Sequence, residues 1–186
     1  MELYIIRHTP VDIESGICYG QTDLNLLNTY PDDVAIIKKK LPEKFSQIIS
    51  SPLKRCTFIA EEFSSYYTTD NRLQEMDFGA WELQAWNKIN SQELEQWMNN
   101  IVDVKPPHGE NLTLVYQRVV SFLEELRKQP YEKVLLVAHA GIIRCIWTYI
   151  LKNPLQTTFK IPVGYGEVFH VNLGITTMDD FIVQKQ

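Results

Sequence analysis

Two patterns of apolar residues divide this chain: short unbroken runs of strand length, and longer stretches where apolar residues recur every three or four positions. Leu3 to Ile6, "FSQIIS" and "KVLLVAHAG" are of the first kind and predict buried strands, with a weaker strand around Tyr67 to Arg72. "EVFHVNL" and "FIVQK" near the C-terminus alternate in part and predict late strands. The second kind predicts helices from Pro31 to Leu41, from Ser51 through Phe63, in two short pieces through Trp86 and Trp97, along Leu114 to Leu126, and over "IIRCIWTYIL". Ser51 is the expected N-cap of the "SPLKRCTFIAEEF" helix with Pro52 at its first position, and Asn111 the expected cap of the long helix.

Strands alternating with helices predict an α/β fold, here a three-layer α/β/α sandwich with a mainly parallel sheet and an antiparallel edge strand near the C-terminus. No linker, repeat or low-complexity tract interrupts residues 1–186, so a single domain is expected. With 186 residues and 45% hydrophobic content the chain can bury a substantial core. A net charge of −5 disfavours nucleic acid as a partner, because affinity for a polyanion needs clustered cations. No apolar stretch is long enough to span a membrane or to act as a signal peptide. Cys18, Cys56 and Cys145 are widely spaced and odd in number, which predicts neither a disulfide framework nor a zinc ribbon and makes a reducing cytoplasm the expected location.

Ligands of open α/β sheets bind outside the carboxyl ends of the strands. Three of the expected strands end in polar residues: Arg7-His8, Ser50-Ser51 and His139, with Arg55 one helical turn beyond the second. Crowded cations need an anion, so this set predicts a phosphate site. No Cys, Asp or third His lies at ligand spacing from either histidine, and a metal is not expected.

"RH" after the first strand, "SSPLKRC", "LQEMDFGAWE" and "VAHAG" resemble, in order, the motifs of the histidine phosphatase (phosphoglycerate mutase-like) superfamily. The resemblance spans nearly the whole chain. It implies phosphoryl transfer from a small phosphate monoester through a phosphohistidine, with His8 as nucleophile and Arg7, Arg55 and His139 as a phosphate clamp. Glu75 resembles the proton donor, with Glu82 second in line and Asp77 a further loop acid. No cofactor is implied, and the oligomeric state is left open.

The chain departs from the pattern in places. "RHTPVD" stands where many members have Gly, Glu and Asn after the histidine, so Thr9 is expected to supply a hydroxyl contact. "PHGEN" replaces a Gly-Gly-Glu-Ser pattern, with Glu110 and His108 either contacts at the rim of the site or, the favoured reading, surface. The "GICYGQTDLNL" loop resembles that of α-ribazole phosphatases, which places Tyr19, Gly20 and Thr22 at the substrate, together with Ala140. Tyr19, Phe78 and Trp81 offer flat faces for a ring. Mutases of the family usually carry longer insertions, so hydrolysis is expected, of α-ribazole 5'-phosphate by this resemblance or else of sugar phosphates and similar monoesters, with a non-catalytic phosphate-binding module as the reading from another class.

Overall fold

A computed structural model describes residues 1–186. Strand β1 (Glu2–Arg7) leads through a long loop to helix α1 (Tyr30–Lys38), followed by β2 (Gln47–Ser50), α2 (Lys54–Glu61) and the two-residue β3 (Thr68–Thr69). An irregular stretch with short 3-10 turns precedes α3 (Ser91–Asn99) and α4 (Leu112–Leu126). The chain closes with β4 (Lys133–Ala138), α5 (Ala140–Leu151), β5 (Val168–Asn172) and β6 (Phe181–Lys185).

The six strands form one sheet in the order β3-β2-β4-β1-β5-β6. The first four are mutually parallel, while β5 runs antiparallel to β1 and β6 antiparallel to β5. Alternation along β1 separates two cores. Leu3 and Ile5 face α4 and α5, packing with Val119, Phe122, Ile142 and Ile146; Tyr4 and Ile6 face α1 and α2, packing with Val34, Ile37, Ile59 and Ala60. That is the three-layer sandwich the pattern predicts. No helix is long and apolar enough to cross a membrane.

Helix α1 ends at Lys38 rather than Leu41, α2 at Glu61 rather than Phe63, and the piece through Trp86 is only a 3-10 turn over Trp86–Lys88. Two further boundaries differ from expectation because a polar side chain has another partner. Helix α2 begins at Lys54, not at Pro52. The Ser51 hydroxyl lies 2.7 Å from Nε2 of His139, and the first helical N–H, of Lys54, is capped by Asp23 Oδ1 at 2.8 Å. Strand β3 stops before Asp70, whose carboxylate accepts from the Arg72 amide at 2.8 Å and opens a 3-10 turn over Asn71–Leu73. Asn111 does cap α4, its Oδ1 accepting from Leu114 N at 3.0 Å.

Candidate active site

After β1 the chain leaves toward α1 on one face of the sheet, and after the neighbouring β4 it enters α5 on the other. Adjacent strands whose connections diverge leave a crevice at their carboxyl ends, and Arg7 and Ala138 are paired at that edge. His8 and His139 are the next residues of the two strands, and their rings lie 5.2 Å apart.

His8 is 2% exposed and its Nδ1 lies 2.8 Å from the Thr9 carbonyl. A carbonyl only accepts, so Nδ1 carries the proton and Nε2 keeps its lone pair. Burial, reinforced by the charge of Arg55, pushes the His8 pKa well below the ordinary imidazole value, so the ring is neutral at physiological pH. Two polar groups beside it, Arg7 Nε and Thr9 Oγ1, are buried with no protein partner. The other end of Arg7 donates from Nη1 to the Val163 carbonyl at 2.7 Å and lies 3.7 Å from the Tyr165 ring centre.

Arg55 is fully buried and binds three elements together. Its Nε donates to His139 Nδ1 at 3.2 Å, Nη1 to the Thr22 carbonyl at 2.8 Å, and Nη2 to the Gly20 carbonyl. With Nδ1 accepting, His139 carries its proton on Nε2 and donates to Ser51. Burial first and Arg55 second hold the His139 pKa well below its usual value. Gly20 has no room for a side chain, since a Cβ would stand 2.0 Å from the Met76 carbonyl. Gly20 and Thr22 thus meet the site from behind, as carbonyl anchors of Arg55.

Glu75 approaches from the opposite side. Its Oε1 accepts from the Met76 amide at 2.9 Å and its Oε2 from the Gly141 amide in the first turn of α5 at 3.1 Å. A Cβ on Gly141 would lie 2.3 Å from Oε1, so any larger residue here would displace the Glu75 carboxylate from this position. Arg118 holds the backbone of the segment. Its Nη1 donates to the Arg72 and Gln74 carbonyls at 2.7 and 2.6 Å, and its Nη2 to the Glu75 carbonyl at 3.1 Å. Glu110 locks Arg118 in place, meeting Nη2 at 2.9 Å and Nε at 3.0 Å, and also accepts from the Asp77 amide at 3.1 Å. Glu110 is therefore a structural anion rather than the surface residue expected; His108 is exposed, as expected.

Glu82, the second-ranked acid, has a different task. Burial alone would raise its pKa, but hydrogen bonds from Thr22, Gln21 and Phe78 outweigh that and hold the carboxyl below its ordinary range. Oε1 accepts from Gln21 N at 2.8 Å and Oε2 from Thr22 N at 2.6 Å, with the Thr22 hydroxyl donating to the same oxygen. A carboxylate pinned in this way stays ionised and supports the loop. The Thr22 hydroxyl, engaged there, is not available to a ligand.

The cleft in front of His8 has a volume of about 200 Å³ and is lined by Arg7, Tyr19, Glu75, Gly141 and, farther out, Phe78, Trp86, Arg144 and Phe159. Of the expected substrate contacts only Tyr19 is among its walls; Thr9, Gly20, Thr22, Trp81 and Ala140 are not. Trp81 is 3% exposed and packs edge-on against Trp97 in the core, at 5.7 Å between ring centres. Tyr19 and Phe78 line the cleft as expected, and Trp86, edge-on to Phe78 at 5.6 Å, lines it where Trp81 was expected. Ala140 points into the core cluster, and Gly141, one position later, borders the cleft. The sequence reading missed Trp86, Arg118 and Arg144. Arg144 carried a signal, being the one charged residue in the apolar run "IIRCIWTYIL". A groove of about 260 Å³ elsewhere, near Thr68 and Gln129, holds Arg72 already ion-paired to Asp70 and Glu125.

Comparison with known proteins agrees with this geometry. The family profile of the histidine phosphatase superfamily (branch 1) matches residues 3–176. The chain belongs to that superfamily and is an enzyme of its phosphatase class. A Hydrogenobacter thermophilus protein provisionally named phosphoserine phosphatase 2 is 29% identical over 180 residues, covering 92% of this chain and 89% of its own. An Escherichia coli protein provisionally named phosphoglycerate mutase GpmB is 29% identical over 166 residues, 83% of this chain and 76% of that one. The crystal structure of the α-ribazole phosphatase from Shigella flexneri superposes with a TM-score of 0.85 at 22% identity, over 92% of this chain and 90% of the other; at that identity the likeness is one of fold.

Proposed function

We propose that the protein hydrolyses small phosphate monoesters through a phosphohistidine on His8. The observation that carries this reading is the neutral His8 ring, anchored through Nδ1–H and flanked by two buried, unpartnered polar groups, Arg7 Nε and Thr9 Oγ1. A buried polar atom without a partner is costly, and an oxyanion supplies what both groups lack.

In this reaction His8 Nε2 attacks phosphorus in line as the ester P–O bond breaks. Arg7, Arg55 and His139 stabilise charge on the equatorial oxygens by exchanging protein acceptors for phosphoryl oxygens. Glu75, held at the mouth of α5, delivers its proton to the leaving alkoxide. Its carboxylate then takes a proton from the water that attacks the phosphohistidine, and His8 leaves with its electron pair restored. No step runs through a metal.

A narrower reading, α-ribazole 5'-phosphate, draws support from the "GICYGQTDLNL" loop and from the aromatic faces of Tyr19, Phe78 and Trp86; sugar phosphates are its alternative. The names of the 29% identical relatives point instead to phosphoserine and phosphoglycerate, which carry a carboxylate beside the phosphate. Steady-state phosphate release from all of these, with nucleotides and nitrophenyl phosphate alongside and chelator present, tests both levels. Turnover of several esters is expected; no turnover of any would overturn the assignment, and a dominant kcat/KM for α-ribazole 5'-phosphate would establish the narrower reading.

A further inference from the structure

The chain has six arginines. Arg72, Arg118 and Arg127 are ion-paired to carboxylates. Arg7 and Arg55 lie at the phosphoryl end, bound to backbone carbonyls and to His139. Arg144 is the exception. It projects from the second turn of α5 into the wall of the cleft that also holds His8, Tyr19 and Glu75. Its Nε donates to the Ile161 carbonyl at 2.9 Å, which fixes the plane of the guanidinium, and its central carbon lies 5.4 Å from the Phe159 ring centre. No carboxylate forms an ion pair with it, and the one acid in the cleft, Glu75, already accepts from Met76 and Gly141 amides. Burial pushes its pKa below the ordinary arginine value against the opposing pull of the nearby Glu75 carboxylate, and a guanidinium remains charged at neutral pH.

The charges of the bound state sharpen the point. A phosphoryl dianion is matched by Arg7 and Arg55. Glu75 is neutral when it acts as proton donor, so it cannot then offset Arg144. A half-buried cation beside the leaving group is left over, and it is balanced when the leaving group itself carries an anion.

We propose that Arg144 is a specificity-determining residue that selects phosphate monoesters whose leaving group carries a second anionic group, a carboxylate in the first instance. The proposal rests on the phosphomonoesterase reading above and weighs against a neutral ring such as that of α-ribazole as the preferred leaving group.

Matched esters test it. O-phosphoserine and phosphoethanolamine differ by one carboxylate, and 3-phosphoglycerate carries a carboxylate where glycerol 3-phosphate carries a hydroxymethyl group. For the wild-type enzyme, kcat/KM is expected to favour the acid-bearing member of at least one pair by about 10- to 100-fold, the scale of a charge-assisted hydrogen bond. Arg144→Gln should bring that ratio close to one, and Arg144→Lys should restore part of it. A wild-type ratio near one in both pairs, or an equal loss for both members in Arg144→Gln, would overturn the assignment of Arg144. The wild-type ratios decide the matter even if a variant folds poorly. Nitrophenyl phosphate separates the two levels: its hydrolysis without discrimination within pairs removes this inference alone, whereas no hydrolysis of any ester removes the phosphatase reading with it.

Discussion

At one end of the cleft, His8 and His139 directly follow adjacent parallel strands, and Arg55 sits in the first turn of α2. At the other, Phe78, Trp86 and Phe159 come from 3-10 turns and their flanks. The first region is fixed by sheet register and by buried hydrogen bonds, the second by aromatic packing on irregular backbone. Phosphoryl chemistry needs positions held to fractions of an ångström. Leaving-group recognition tolerates variation, and the segments that supply it are the ones that can change without disturbing the sheet. Glu75 belongs to both regions: it sits on an irregular segment, but Gly141, Arg118 and Glu110 tie that segment to helices α5 and α4.

Variants can break this division at graded cost. The largest effect is expected from His8→Ala, which should lower kcat by about 10⁴-fold or more, as removal of a covalent nucleophile does, while circular dichroism shows the fold retained. Retained turnover would remove the phosphohistidine. Glu75→Gln should cost about 10²- to 10⁴-fold with alkyl phosphates and far less with nitrophenyl phosphate, whose leaving group needs no proton. Equal losses with both esters would show that Glu75 serves the phosphoryl end instead. Glu110→Gln frees one anchor of Arg118 and should reproduce the same leaving-group dependence at about 3- to 30-fold; a uniform loss across esters would reduce Glu110 to general stability.

The smallest effect is on stability against pH. His8 and His139 have folded-state pKa values pushed well below 6.5, by burial and then by Arg55, whereas in the unfolded chain each titrates near 6.5. Below about pH 6.5 the unfolded chain binds more protons, so their contribution is complete above that pH and is lost progressively as pH falls. The melting temperature should decline between pH 6.5 and 5, less steeply in His8→Asn. Identical slopes would show that His8 is not buried in neutral form. The same depressed pKa places any acid limb of kcat/KM due to His8 below pH 6.5.

The strand-end residues were legible because the apolar runs locate a strand and the break after it, and because Arg and His gather at several such breaks at once, where a single pair would read as a solvated strand end. Trp81 and Trp86 could not be separated that way: the loop between Phe78 and Lys88 has no period, and which ring turns inward depends on Trp97, more than ten residues further on. Glu75 and Glu82 are both acids of one loop, and only the direction of the Gln21, Thr22 and Phe78 amides separates them. Ser51 read as a cap from local sequence, whereas its hydroxyl makes its short bond with His139, 88 positions away, and accepts from the local Leu53 amide only at 3.4 Å.

Arg55 has a consequence for how the molecule forms. Its three bonds join residues 33, 35 and 84 positions apart in the chain, and none of them is local. Contacts of such separation carry a high loop-closure cost and tend to appear late on a folding route. Far-ultraviolet ellipticity should therefore recover before enzymatic competence during refolding, with the slower phase marking the moment at which Arg55 closes the distant segments around His139.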